Sequence, residues 1–583
     1  MMKRIGLLIM VMVGIFLPFK GFGATDFQYN GINYTVISEG LRTVKTREGG
    51  WAHGGTTSQF FPGNYARGEV IIPEKVYYND KEYTVIEIGK NSFYDQHYIY
   101  NLELPNTLVT ISESAFEGCY MIPFVNLPSS LRGIGERAFH SCIGLTEIVI
   151  PENVVSIGSY AFFACFDLVK VTLNARDCEI TKNPFGENVE EFYFGPEVKT
   201  IPSYCCNQLY KLQKVVLPNS VISIEACAFR ETAISQIILP PSLTYIGRNA
   251  FEGSQLSGIE IPYTVSFIGD NAFTASNIEE IIIPNSVNKL GEMVFQDCKE
   301  LRHVRFPASI DRIPKYSCQN CSNLQSVEIP NTIQEIDYGA FQGCTNLKQI
   351  VIPNSVKTIS PYSFDDTPSL ESITLGYGIE YISGKNFNNP SDIYITTQDP
   401  PLIFSETFRN YDGNIYILPG ALFSFKNAYG WDQFMNFDYI IEAKSLEVEE
   451  EEIGGDKGEK IQLKATLLPE GTTLQTVFWT SSDYSVADVD ADGCVTIIDP
   501  YRSCKIMAQS LYPDLKTVEI NVKPTMENPD NGVDSIIQND ETERETFVIY
   551  NLQGVCVKRN ATRDDIINLA PGLYIINGKK VLI

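Results

Sequence analysis

An apolar residue followed by proline recurs through the middle of this chain at a nearly constant interval. Leu104-Pro105, Leu127-Pro128 and Ile150-Pro151 are spaced by 23 residues. Leu217-Pro218, Leu239-Pro240, Ile261-Pro262 and Ile283-Pro284 are spaced by 22, and Phe306-Pro307, Ile329-Pro330 and Ile352-Pro353 by 23. A second marker keeps step: Phe93, Phe116, Phe139, Phe162 and Phe185, then Phe229, Phe251, Phe273 and Phe295, then Phe341, Phe364 and Phe387. Self-similarity at such a period restricts the chain to a solenoid, in which each unit buries its apolar face only against its neighbours.

One unit explains the pattern. Ile148, Val149 and Ile150 alternate as a short β-strand, and Pro151, without an N–H, ends the pairing. Val154 and Ile157 turn inward, and Ala161-Phe162 sets a ring beside a small residue. Strands of successive turns pair in parallel about 4.8 Å apart, so some fifteen turns predict a curved sheet roughly 70 Å along its arc. The expected fold class is mainly β: a parallel solenoid, then a β-sandwich and a small C-terminal β unit.

The unit resembles the leucine-rich repeat of the BspA-like bacterial surface proteins. Pro284-Asn285-Ser286-Val287, Pro353-Asn354-Ser355-Val356 and Ile246-Gly247-Arg248-Asn249-Ala250-Phe251 carry the likeness. Cys206 and Cys318 stand where the ring is expected, and Asn174 and Gly376 where the proline is. The solenoid is expected over 71–440, behind an N-terminal cap at 25–70 with an Asn30-Gly31 turn. From 419 a helical segment, Ala421 to Trp431, closes it, as similar segments do in this family.

The flanks carry other signals. Lys3-Arg4, the apolar run Ile5 to Phe19 and small residues up to Ala24 have the layout of a signal peptide at 1–24. Short alternating strands over 443–523, with Trp479-Thr480-Ser481-Ser482 and Val486-Ala487-Asp488-Val489, resemble bacterial immunoglobulin-like domains. A polar linker follows at 524–545. The last segment, 546–583, with Asn551-Leu552-Gln553-Gly554 and Asn577-Gly578-Lys579-Lys580, resembles the C-terminal sorting domain of type IX secretion cargo. These likenesses imply an exported protein, at the cell surface or extracellular, with the periplasm as an intermediate and no membrane span after cleavage.

Composition narrows the chemistry. Against 71 acidic residues stand 45 basic ones in 583, a net charge of −26, which argues against nucleic-acid binding. Only four histidines exist, far apart in sequence. Of the 14 cysteines, Cys119, Cys142 and Cys165 follow core phenylalanines by three residues, and Cys298, Cys321 and Cys344 repeat that register. Parallel side chains suit a ladder of buried thiols better than bridges or zinc. Cys494 and Cys504 differ: ten residues apart in the expected sandwich, they are a candidate disulfide. Asp488, Asp490, Asp492 and Asp499 fit most of a calcium loop, but Asp-Ala-Asp-Gly between β runs is also a hairpin turn. No nucleophile or phosphate-loop motif occurs, so neither catalysis nor a cofactor is expected.

The candidate working surface is the outward residue of each strand on the concave face, including Tyr193, Val216, Ile238, Glu260, Ile282, Arg305, Glu328, Tyr394 and Tyr416. An exposed apolar column points to a partner; β-branched residues also simply favour strands. Family resemblance implies adhesion to host or neighbouring-cell surface or matrix proteins, and a monomer is expected. The alternative is a glycan-binding or envelope-structural protein, with tyrosines stacking on sugars.

Overall fold

The computed structural model describes residues 26–48, 67–404, 406–408 and 411–525, and the backbone of strands Phe547–Asn551, Cys556–Ala561, Leu573–Ile576 and Lys579–Leu582. The expected signal peptide, the linker from 526 on and the turns of the last segment lie outside the described residues. The chain divides into two compact units, Met1–Ile234 and Ser235–Ile583. Both are mainly β.

In the first unit, Asp26–Tyr29 and Ile32–Ser38 form an antiparallel hairpin across Asn30 and Gly31, both at positive φ. That backbone matches the twist of a two-residue hairpin, and Asn-Gly adopts it readily. Strand Thr43–Thr46 then pairs in parallel with Lys81–Ile88, and the ladder continues through Thr110–Ile111, Gly133–Ile134 and Ser156–Ile157. A second parallel ladder joins Glu147–Ile150, Lys170–Leu173, Glu191–Phe194 and Lys214–Val216. Most coils thus contribute one longer and one two-residue strand.

Between the ladders runs the phenylalanine spine. Neighbouring rings from Phe93 to Phe162 lie 5.1–5.3 Å apart and within 13° of parallel, all fully buried. Each ring is bracketed by left-handed residues two positions before and after it, such as Ser114 and Gly118 around Phe116, or Arg137 and Ser141 around Phe139. Gly118 adopts that backbone freely, and Asn91 and Asp95 tolerate it. The cysteines of the ladder are free, and each thiol donates to a carbonyl of the preceding coil: Cys119 to Phe93, Cys142 to Phe116 and Cys165 to Phe139, at 3.2–3.3 Å.

The second unit repeats the coil. Its spine includes Phe251, Phe273 and Phe295, then Phe341, Phe364, Phe387 and Phe408. Cys318 interrupts it, and in the same coil the strand ends in Phe306 rather than an aliphatic residue. The Phe306 ring meets Phe341 edge-on at 6.1 Å. The first unit solves the same problem identically: Cys206 interrupts, and Phe194 of that coil meets Phe229 edge-on at 6.4 Å. Helix Leu422–Asn427 and the fully buried Trp431, whose indole donates to the Pro401 carbonyl at 2.7 Å, close the stack.

Beyond it, the second unit holds a β module of three small sheets. Ser445–Val448 pairs with Ala465–Leu468; Cys494–Ile497 lies between Lys460–Gln462 and Ala487–Val489; Glu452–Ile453, Val518–Val522, Cys504–Ser510 and Val477–Ser481 form the third sheet. Strand Cys504–Ser510 escapes a hydrophobicity reading because two of its four inward residues are Cys504 and Ser510. Trp479 packs on Gly493 (φ +81), where a Cβ would come within 2.8 Å of the indole. The tail strands form a separate four-stranded antiparallel sheet.

Candidate interaction face

Alternation along each longer strand sends every second side chain inward and the others out. In the first unit the outward residues Val149 and Val216 are exposed. Tyr193 lies between Lys170 and Lys214, at 5.9 and 5.2 Å from its ring, and its hydroxyl donates to Glu191 at 2.6 Å. Acids and lysines on adjacent rungs neutralise each other here: Glu147 with Lys170 at 3.2 Å, Glu191 with Lys214 at 3.6 Å.

In the second unit the column divides. Ile238 is 89% exposed and Ile282 56%, with Glu260 exposed between them. From Arg305 onward the β module covers the face. The Arg305 guanidinium, 12% exposed, donates to Asp488 at 3.1 Å and to the Val489 carbonyl at 2.6 Å. The Asp488 carboxylate, 8% exposed, also accepts from the Asn285 amide at 2.7 Å and from the Tyr263 hydroxyl. Glu328 takes His303 at 3.0 Å and Arg305 at 3.7 Å. Burial alone would raise the Glu328 carboxyl, but the hydrogen bond from His303 and the charge of Arg305 outweigh it and hold it below the usual value. A cavity of about 200 Å³ opens beside this cluster, lined by Arg305, Glu328, Asn331, Phe478, Trp479 and Tyr484.

Further along, the Asn331 amide donates to Gln509 at 2.6 Å, Gln509 donates to the Tyr377 hydroxyl at 2.8 Å, and Asn354 donates to the Ser510 carbonyl at 2.8 Å. Tyr394 and Tyr416 stack on each other at 4.6 Å and pack against the module's buried Leu446, Leu467, Ala508 and Leu511. Of the nine expected binding residues, Arg305, Glu328, Tyr394 and Tyr416 therefore face the chain's own β module. Val216, Ile238, Glu260 and Ile282 stay open, and Tyr193 is partly buried among its charged neighbours.

The seat left a signal in the sequence. Tyr263, Asn285, Asn331 and Asn354 each follow a strand-ending proline, and Tyr377 follows Gly376, which stands in the proline's place. The Pro-Asn signature that marks the repeat is also the row of donors that holds the module. Asp488, read as a calcium ligand or turn residue, is its main acceptor. Asp490 caps the hairpin, accepting from the Asp492 and Cys494 amides at 3.1 and 2.8 Å. Cys494 and Cys504 are free thiols on strands of different sheets, so the candidate disulfide is not formed.

A family model described as the BspA type leucine-rich repeat region matches residues 80–191, 199–325 and 312–413, over half of the chain. A leucine-rich repeat protein from Bacteroides ovatus has 22% identity over 71% of this chain and 100% of its own, with a TM-score of 0.46. A leucine-rich cell surface protein from Faecalibacterium prausnitzii has 20% identity over 72% and 95%, at 0.34. The pneumococcal vaccine antigen PcpA has 16% over 72% and 99%, at 0.36. No curated protein matches the chain.

Proposed function

The chain belongs to the BspA-type leucine-rich repeat family, and on that premise we propose that it is an exported surface protein that binds other proteins through the open outward face of its coils, without catalysis. The observation that carries this reading is the contrast along one column. Within the second unit, Tyr394 and Tyr416 are partly buried against the chain's own module, while Ile238 and Ile282 are left open. Isolated apolar residues at a surface need no explanation, but a register of them on a rigid sheet suits a partner. The leader pattern at 1–24 and the sorting-like strands after 546 support export, and the module reads as an immunoglobulin-like domain. The glycan-binding alternative is less favoured, since the stacked pair Tyr394 and Tyr416 packs against the module.

The test is capture of extracellular-matrix and cell-surface proteins on the immobilised chain, beside a glycan array. Val216→Asp and Ile238→Asp, each made singly, are expected to abolish protein capture while leaving the thermal midpoint in place. Unchanged capture by both variants removes the face from the reading.

A further inference from the structure

The open stretch of the second unit has a partner chemistry written into it. Gly258 and Glu260 point outward on one rung, alternating with the inward Ile259 and Ile261; Glu280 and Ile282 point outward on the next. Gly258 pairs in parallel with Glu280, which puts Glu260 in register with Ile282. The result is an outward surface with two exposed isoleucines, Ile238 and Ile282, and two carboxylates flanking a notch at Gly258. A Cβ placed on Gly258 meets nothing within 4 Å, so the notch is open space rather than a close approach of backbone.

Two observations select the occupant. Among the described residues no cation lies within ion-pair distance of Glu260 or Glu280, whereas Glu147 and Glu191 of the first unit, which hold the strand position of Glu280, each have a lysine on the next rung. The imidazole following Glu280 in its column, His303, is taken by Glu328 and Ser326. The face is also continuous with the module's seat, since the next rung carries Arg305. Like charges on neighbouring rungs repel, and a cation laid between them relieves that repulsion.

We propose that this face takes an extended basic polypeptide, with a lysine or arginine in the Gly258 notch between Glu260 and Glu280 and apolar side chains on Ile238 and Ile282. The inference rests on the protein-binding reading above and specifies its ligand. An alternating pattern suits a sheet face because residues two apart point the same way at a spacing close to that along a strand.

The test uses the full chain and three short peptides: alternating lysine and valine, alternating glutamate and valine, and lysine with glycine. Titration by fluorescence anisotropy at physiological salt is expected to show binding of the lysine–valine peptide alone. Gly258→Arg, which fills the notch with a cation and meets no neighbour at its Cβ, is expected to weaken that binding at least ~tenfold, about 1.4 kcal/mol. Glu260→Gln with Glu280→Gln is expected to do the same without moving the thermal midpoint. Equal binding of the glutamate–valine peptide, or full binding by either variant, overturns the proposal. Should Ile238→Asp abolish capture of matrix proteins while the double Gln variant retains it, the protein-binding face stands and the basic partner falls.

Discussion

Arg305 and Asp488 bring opposite charges into one largely buried contact. Removing Arg305 costs about 3–5 kcal/mol, because the Asp488 charge is left buried and unpaired; removing Asp488 costs less, since Arg305 keeps Glu328 at 3.7 Å. Asp488→Ala and Arg305→Ala should each lower the denaturant midpoint of the second unit. Arg305→Met with Asp488→Leu should cost less than the sum of Arg305→Met and Asp488→Leu made singly. Glu328 gives the seat a pH dependence. Its carboxyl is held below the usual value in the folded state, so the unfolded chain binds the proton first as pH falls. Its contribution is complete above the ordinary carboxylate value, about 4.3, and is lost as pH drops through the folded one. Tryptophan fluorescence followed during acidification should show the transition, and Glu328→Gln should flatten this part of it. The thiol ladder makes a separate prediction. Burial holds the Cys142 and Cys344 thiols well above their ordinary value, and pushes Cys165 up to about 12. Maleimide should leave these residues unlabelled in the native protein and label them only on unfolding, while the half-buried Cys494 reacts first within the module.

At the scale of the coil, the spine tolerates a missing ring only where its own strand supplies another. Phe306 with Cys318 and Phe194 with Cys206 are the same exchange, one in each unit. Phe306→Ala should cost about 3–5 kcal/mol, as a large buried ring lost without collapse does. Cys318→Phe alone should overpack, at about 1–3 kcal/mol. Phe306→Leu with Cys318→Phe should recover most of the loss, since it restores the pattern of the other coils; thermal unfolding checks each variant. Both markers were legible because each recurs in nearly every coil, and a period is visible without any knowledge of contacts. The exchange was legible only as two departures, since nothing in a one-dimensional pattern says that residues twelve apart fill one space.

Over the whole chain, the elements were readable and the module's seat was not. Tyr263 reaches Asp488 across 225 residues, and Asn354 reaches Ser510 across 156. In the sequence, Asn285 and Asn354 are only parts of the repeat signature, and periodicity treats the outward column as one uninterrupted surface. That column belongs to two kinds of neighbour because Arg305, Glu328, Tyr394 and Tyr416 answer to side chains on the module. Ending the chain at Glu442 should uncover Val351, Tyr394 and Tyr416; such a protein is expected to bind the dye ANS and to melt at lower temperature than the full chain. The row of anchors also sets a ruler. Coils that touch nothing but the coils above and below can be gained or lost through duplication with little harm. Between Tyr263 and Tyr377 that freedom ends, for one extra rung would carry the far anchors about 4.8 Å out of step with their acceptors. Length variation among relatives that keep this module should therefore fall outside that stretch.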